Sequence, residues 1–140
     1  MMKLINTKGF EFNRTSNKKI KIKENQKKLI INNEEQKEIY IIHVDSKNSP
    51  IEGKKCDYLF FSINEDPYFY LELKGKDIKT AFEQIINTKK YFNTEKEKNV
   101  GIIITSNRPK FSTKIQKLQN KSKKYFRKIH IKNNNFEINI

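Results

Sequence analysis

The 140-residue chain is the size of one compact domain and carries a formal net charge of +14, from 30 Lys and Arg against 16 Asp and Glu. Such an excess points to a polyanionic partner, nucleic acid or an anionic membrane surface, although abundant Lys, Asn and Ile beside only Arg14, Arg108 and Arg127 is also what an AT-rich genome imposes. The single cysteine, Cys56, excludes an internal disulfide and a cysteine-based zinc site, and no apolar run suits a signal peptide or membrane span, so a soluble cytoplasmic protein with no membrane partner is expected.

Lys19 to Lys23 alternates lysine with isoleucine, as a half-exposed strand does. Branched runs from Leu29 to Asn33 and from Glu38 to Val44 predict two further strands, with Glu34-Glu35-Gln36-Lys37 between them as a hairpin turn or a short helix before the second strand. Ser46 to Pro50 and then Gly53 carry the chemistry of a loop. Tyr58 to Ile63 and Tyr68 to Lys74 are dense in aromatic and branched residues, and the intervening Asn64-Glu65-Asp66-Pro67 predicts a hairpin closed by a four-residue turn.

Beyond Gly75, the residues Ile78, Ala81, Phe82, Ile85, Ile86 and Phe92 share one helical face, and Asp77 is placed to cap it. Val100 to Thr105 is almost continuously apolar, which predicts a strand buried on both faces, parallel to the strand over 68–74. A second helix is expected after Ser112 with Ile115, Leu118, Tyr125 and Ile129 on its apolar side, and 129–140 could add an edge strand. The expected fold is a single α/β domain over 1–140, a mixed sheet of antiparallel hairpin plus parallel crossover strand, flanked by helices.

An acid followed two positions later by lysine occurs at Glu35/Lys37, Asp45/Lys47, Glu52/Lys54, Glu72/Lys74 and Asp77/Lys79, so the spacing alone means little here. Glu72-Leu73-Lys74 differs in ending the run Tyr68-Phe69-Tyr70-Leu71, where charge beside a core is costly and needs a reason. A turn over 64–67 would pair Ile63 with Tyr68, setting Leu59 opposite Glu72 and Asp57 opposite Lys74. Asp57, Glu72 and Lys74 would then share a face, with the two carboxylates on a diagonal about 7–8 Å apart at the backbone. Mg²⁺ suits two carboxylates completed by water and substrate phosphate, and Mn²⁺ could substitute. Such an ion would lower the pKa of a bound water and offset charge building on a phosphodiester.

Asp57, a hairpin, Glu72-Leu73-Lys74, then a helix and a buried strand together resemble the PD-(D/E)XK nuclease superfamily over about residues 39–106. Lys55 to Leu59, Tyr70 to Gly75 and Ala81 to Ile85 also resemble small bacterial restriction-endonuclease-like proteins. The resemblance implies a restriction-endonuclease-like fold with Asp57, Glu72 and the Leu73 carbonyl as metal ligands, Lys74 assisting catalysis, and Gln84 as an auxiliary active-site residue. Cys56 stands where the motif's name has proline, and Thr88 replaces the tyrosine of a Gln-x-x-x-Tyr form.

Arg108, Lys114, Lys117, Lys121, Lys124, Arg127 and Lys128 are the candidate contacts to a DNA backbone, with RNA not excluded. His43 and Asp45, or one of Glu34, Glu35 and Glu38, are further candidates near the site. The expected activity is DNA cleavage by a homodimer, restriction-type or structure-specific, since one site cuts one strand. A non-catalytic nucleic-acid-binding module with a basic C-terminal helix is the alternative, and a protein-binding adaptor a weaker third.

Overall fold

The computed structural model describes residues 6–63, 65, 67–75, 77–106 and 112–140, with the backbone alone for 74 and 75. Among the described residues nine strands and two α-helices follow one another as β1 Glu11–Thr15, β2 Lys19–Glu24, β3 Lys27–Asn32, β4 Ile39–His43, β5 Tyr58–Ser62, β6 Tyr68–Gly75, α1 Ile78–Phe92, β7 Asn99–Thr105, α2 Thr113–Ser122, β8 Lys128–Asn133 and β9 Asn135–Asn139. Six strands form the main sheet in the order β1-β4-β5-β6-β7-β8, and β2-β3-β9 form a second sheet. The chain is thus mixed α/β, with strands outnumbering helices among the described elements.

Alternation along the central strands divides the core between the two faces of the main sheet. Leu59, Phe61, Tyr68, Tyr70 and Ile103 pack with Ala81, Phe82 and Ile85 of α1, while Phe60, Phe69, Leu71, Leu73, Val100, Ile102 and Ile104 pack with Ile20, Ile22, Leu29 and Ile31 of the second sheet. Every residue of β7 is buried, as its unbroken apolar run requires of a strand covered on both sides. Helices lie on one face and a sheet on the other, which corrects the expectation of helices as the flanking layers.

The helix ends follow their side-chain chemistry. Asp77 accepts from the Lys79 N–H at 3.1 Å and from the Thr80 hydroxyl at 2.8 Å, and Ser112 accepts from the Ile115 N–H at 3.2 Å. The second helix stops at Ser122, so Tyr125 and Ile129 lie beyond it and Ile129 belongs to β8. β3 and β4 are no hairpin, since they enter different sheets. Asn33 between them donates to the Asn17 and Lys37 carbonyls at 3.1 and 2.8 Å, fixing the crossing. The tail forms two strands rather than one, with β8 parallel to β7 and β9 parallel to β3.

The β5–β6 hairpin has a register other than the expected one. Tyr58 pairs with Leu71, Leu59 with Tyr70 and Phe60 with Phe69, two residues away from Leu59 opposite Glu72. The chain turns early because the Glu65 N–H bonds the Ser62 carbonyl at 3.2 Å, and the Ile63 N–H bonds the Glu38 carbonyl beside β4 at 3.1 Å instead of joining the β6 ladder. A shift of two residues leaves every side chain on its own face.

Candidate active site

The β5–β6 ladder ends at Tyr58 and Leu71, which leaves Asp57 one residue beyond its last rung, bonded to Leu71 and Leu73 on either side of Glu72 rather than opposite Lys74. Leu59 and Tyr70 pack on the helix face and Leu71 and Leu73 on the second sheet, so alternation along β6 turns Glu72 to the helix face, and the charges of both Glu72 and Asp57 reach the Cys56 thiol, which packs there. Hydrogen bonds to Asp57 flank Glu72 on both sides. The Asp57 N–H donates to the Leu71 carbonyl at 3.0 Å, and the Leu73 N–H donates to Asp57 Oδ2 at 2.8 Å. Asp57 is 3 % and Glu72 1 % exposed. Two buried carboxylates on one face need positive charge or a shared proton to be stable together.

Next to them, Cys56 is fully buried and its thiol is pushed up, first by burial and then by the charges of Glu72 and Asp57. A thiol in that setting is inert rather than nucleophilic. The pairing of β6 with β7 shifts register between Glu72 and Gly75, so the strand is irregular where the site sits. The Lys74 backbone lies in that irregular stretch, and its side chain is outside the described residues, as is Arg108.

Residues 54–56 are strapped to α1. The Gln84 amide donates to the Lys55 carbonyl at 3.2 Å, the Asn87 amide bonds the Lys54 carbonyl, and the Thr88 hydroxyl accepts from the Cys56 N–H at 2.9 Å while donating to the Gln84 carbonyl at 2.8 Å. Gln84 is therefore a positioning residue for the segment that delivers Asp57. Thr88 and Asn87 share the task and were not among the expected site residues. Their signal is the i, i+3, i+4 spacing of Gln84, Asn87 and Thr88 on one helical face.

The other candidates separate. Glu35 bonds Lys37 at 3.8 Å, Lys37 bonds Glu65 at 3.0 Å, and Glu38 bonds Arg14 at 3.6 Å. These acids, with Glu34, lie before Ile39, which pairs with Ser62 at the end of β5 away from Asp57, so none is a ligand there. His43 pairs with Tyr58 and stacks on it at 4.9 Å, on the face opposite the carboxylates, and Asp45 is exposed. Their proximity in the fold therefore does not add a third carboxylate to the pair.

The predicted basic footprint is split as well. Asp77, the cap of α1, is held below the usual carboxylate range, first by the Thr80 hydroxyl and least by the charge of Lys114, which lies in the first turn of α2. Lys117 and Lys121 follow along α2, exposed, and Lys121 lines a groove of about 390 Å³ with Lys54, Glu83, Asn87, Lys90 and Tyr125. Lys124 follows the helix, and Lys128 pairs with Val100, three rungs from the level of Glu72 and Ile103. Arg127 precedes it and bonds the Glu97 carbonyl at 3.5 Å. Arg127 and Lys128 thus stand at the far end of the sheet, about 10 Å along the strands from the carboxylate level.

Among the described residues no group of three or more His, Cys, Asp or Glu side chains could hold a metal, so a metal here would rest on two carboxylates. The oxygen-only donors Asp57, Glu72 and the Leu73 carbonyl fit Mg²⁺, which keeps several waters and leans on substrate phosphate. Asp57 Oδ2 is engaged by Leu73, which fixes the carboxylate's orientation. Among the described residues no helix is long and apolar enough to cross a membrane. No protein-family model, no curated protein and no solved structure matches the chain.

Proposed function

We propose that the chain is a Mg²⁺-dependent endonuclease that hydrolyses DNA phosphodiester bonds, with a restriction-endonuclease-like core formed by β4, β5, β6, α1 and β7. The observation that carries the reading is the burial of Asp57 and Glu72 beside one another, with Asp57 Oδ2 hydrogen-bonded to the N–H of the residue between Glu72 and Lys74. The strand order supports it: an antiparallel meander β4-β5-β6 and, after α1, a parallel β7. This is the arrangement implied by the resemblance to PD-(D/E)XK nucleases.

Asp57 and Glu72 would hold the ion together with the Leu73 carbonyl. When bound, Mg²⁺ would supply Lewis acidity toward the scissile phosphate and an acidified water. Two buried carboxylates close together suit a site completed by positive charge. Lys74 is assigned the orientation of the attacking water and stabilisation of charge on the phosphate. The strap from Gln84, Asn87 and Thr88 holds Asp57 in place, and Lys114, Lys117 and Lys121 offer phosphate contacts leading away from it. Two copies would be needed to cut two strands, which makes a homodimer part of the proposal.

The low exposure of both carboxylates favours one second reading, a non-catalytic nucleic-acid-binding module that uses α2 and has a structural acid pair. Incubation of linear, circular and branched DNA with Mg²⁺ or Mn²⁺ distinguishes them. Cutting that disappears in Asp57→Asn, Glu72→Gln and Lys74→Ala, with DNA binding retained, supports the nuclease. Binding without cutting by the wild-type chain under saturating metal supports the module.

A further inference from the structure

We propose that the outer face of the β2-β3-β9 sheet is a second nucleic-acid surface, binding the phosphate backbone of duplex DNA without reading its sequence. The lysine–isoleucine alternation of β2 buries Ile20 and Ile22 against the main sheet and leaves Lys19, Lys21 and Lys23 exposed on the opposite side. In β3 the residue across from Lys23 is Lys28, which is half-buried on the same outer face. Four lysines therefore share one face of a short sheet.

The rest of that face supplies one acid. Ile30 and Asn32 continue β3 outward, and Asn135, Glu137 and Asn139 lie beside them on β9. The Asn32 amide donates to both Glu137 Oε1 and Asn139 Oδ1 at 2.8 Å, which ties the Glu137 carboxylate to neighbours on β3 and keeps it two strands away from the β2 lysines. Lysines two residues apart on a strand are spaced by about 6.6–6.8 Å. That is close to the separation of successive phosphates along one strand of a duplex, so a row of three can meet three phosphates in register.

Lysines on an edge strand also deter pairing with another chain's strand, and β2 is an edge. That role predicts no dependence of DNA affinity on these side chains. The face lies on the far side of the main sheet from α1 and α2, so it is separate from the α2 lysines. Nor does the inference rest on the nuclease reading, because it concerns binding in the absence of metal and cleavage.

The test is fluorescence anisotropy with a short duplex in EDTA, on an Asp57→Asn background, over a series of salt concentrations. Replacing Lys19, Lys21 and Lys23 together with Gln should make the slope of log affinity against log salt shallower by about 2–3, near 0.9 for each phosphate no longer neutralised. Replacing the same three with Arg should keep the wild-type slope. If the triple Gln variant does not fold, Lys21→Gln alone should lower the slope by about 0.9. An unchanged slope in a folded Gln variant overturns the proposal, as does loss of binding to anionic lipid vesicles in that variant while its DNA slope stays at the wild-type value.

Discussion

The carboxylate of Asp57 accepts a 2.8 Å hydrogen bond from the backbone N–H of Leu73, the residue between Glu72 and Lys74. The bond makes Asp57 both a structural clamp on β6 and, in the proposed activity, a metal ligand. These roles separate by substitution. Asp57→Asn keeps an oxygen to accept from Leu73 and should melt within a few degrees of wild type, whereas Asp57→Ala leaves a buried N–H unsatisfied at a cost of about 1–3 kcal/mol. Both should lose DNA cleavage by on the order of 10²-fold or more. Thermal melts beside a cleavage assay check this, and Asp57→Asn cutting at the wild-type rate would sink the site.

The strap on α1 predicts a subtler effect. Thr88→Val is nearly isosteric but deprives the Cys56 N–H of its acceptor, one residue before Asp57. Stability should fall by about 1–3 kcal/mol, and activity by about 10–100-fold. The loss should appear as a higher Mg²⁺ requirement more than as a weaker KM for DNA. Thr88→Ser restores the hydroxyl and should recover the metal requirement; a general loss of stability with an unchanged Mg²⁺ titration would refute a positioning role.

The centre of the fold was legible because its residues have few alternatives. The aromatic and branched runs of β5 and β6, the amphipathic stripe of α1 and the unbroken apolar run of β7 each match one period of secondary structure. The expected register of the β5–β6 hairpin differs from the observed one by two residues, a slip that keeps the paired side chains on their own sides. The slip itself depends on where Ile63 sends its N–H, a bond to Glu38 that local sequence does not encode. The second sheet was hidden for a related reason: β3 pairs with β9 from the other end of the chain, and long-range parallel pairing leaves no local spacing to read. β1, Glu-Phe-Asn-Arg-Thr, has no strand signature in the sequence because its exposed edge position demands almost no apolar pattern.

Gly101 tests the packing between α1 and the sheet. A Cβ at this position would meet Ile85 Cδ1 at 2.9 Å and Ile129 Cγ1 at 3.1 Å, so the glycine is what lets helix and strands approach. Gly101→Ala should destabilise the fold by about 1–3 kcal/mol, read as a lower urea midpoint with an unchanged slope. Adding Ile85→Val removes the Cδ1 that makes the closer of the two approaches and should recover part of the loss. An alanine variant as stable as wild type would show that the layers are looser than their geometry.

His130 carries a pH dependence that is independent of the proposed chemistry. The imidazole is half-buried beside Phe136, with ring centroids 5.0 Å apart, and its pKa is lowered from the ordinary 6.5, first by burial and then by Lys128 and Lys132. Because the folded value lies below the unfolded one, the unfolded chain binds a proton first as the solution is acidified. The contribution of neutral His130 is therefore fully present above the ordinary value and is lost as pH falls through the folded value. Urea midpoints between about pH 7 and pH 5 should decline for wild type more steeply than for His130→Gln, which has nothing to protonate at that position. An NMR titration of the His130 ring supplies the direct reading, and a folded-state midpoint at or above that of a free imidazole would reverse the sign and remove the effect.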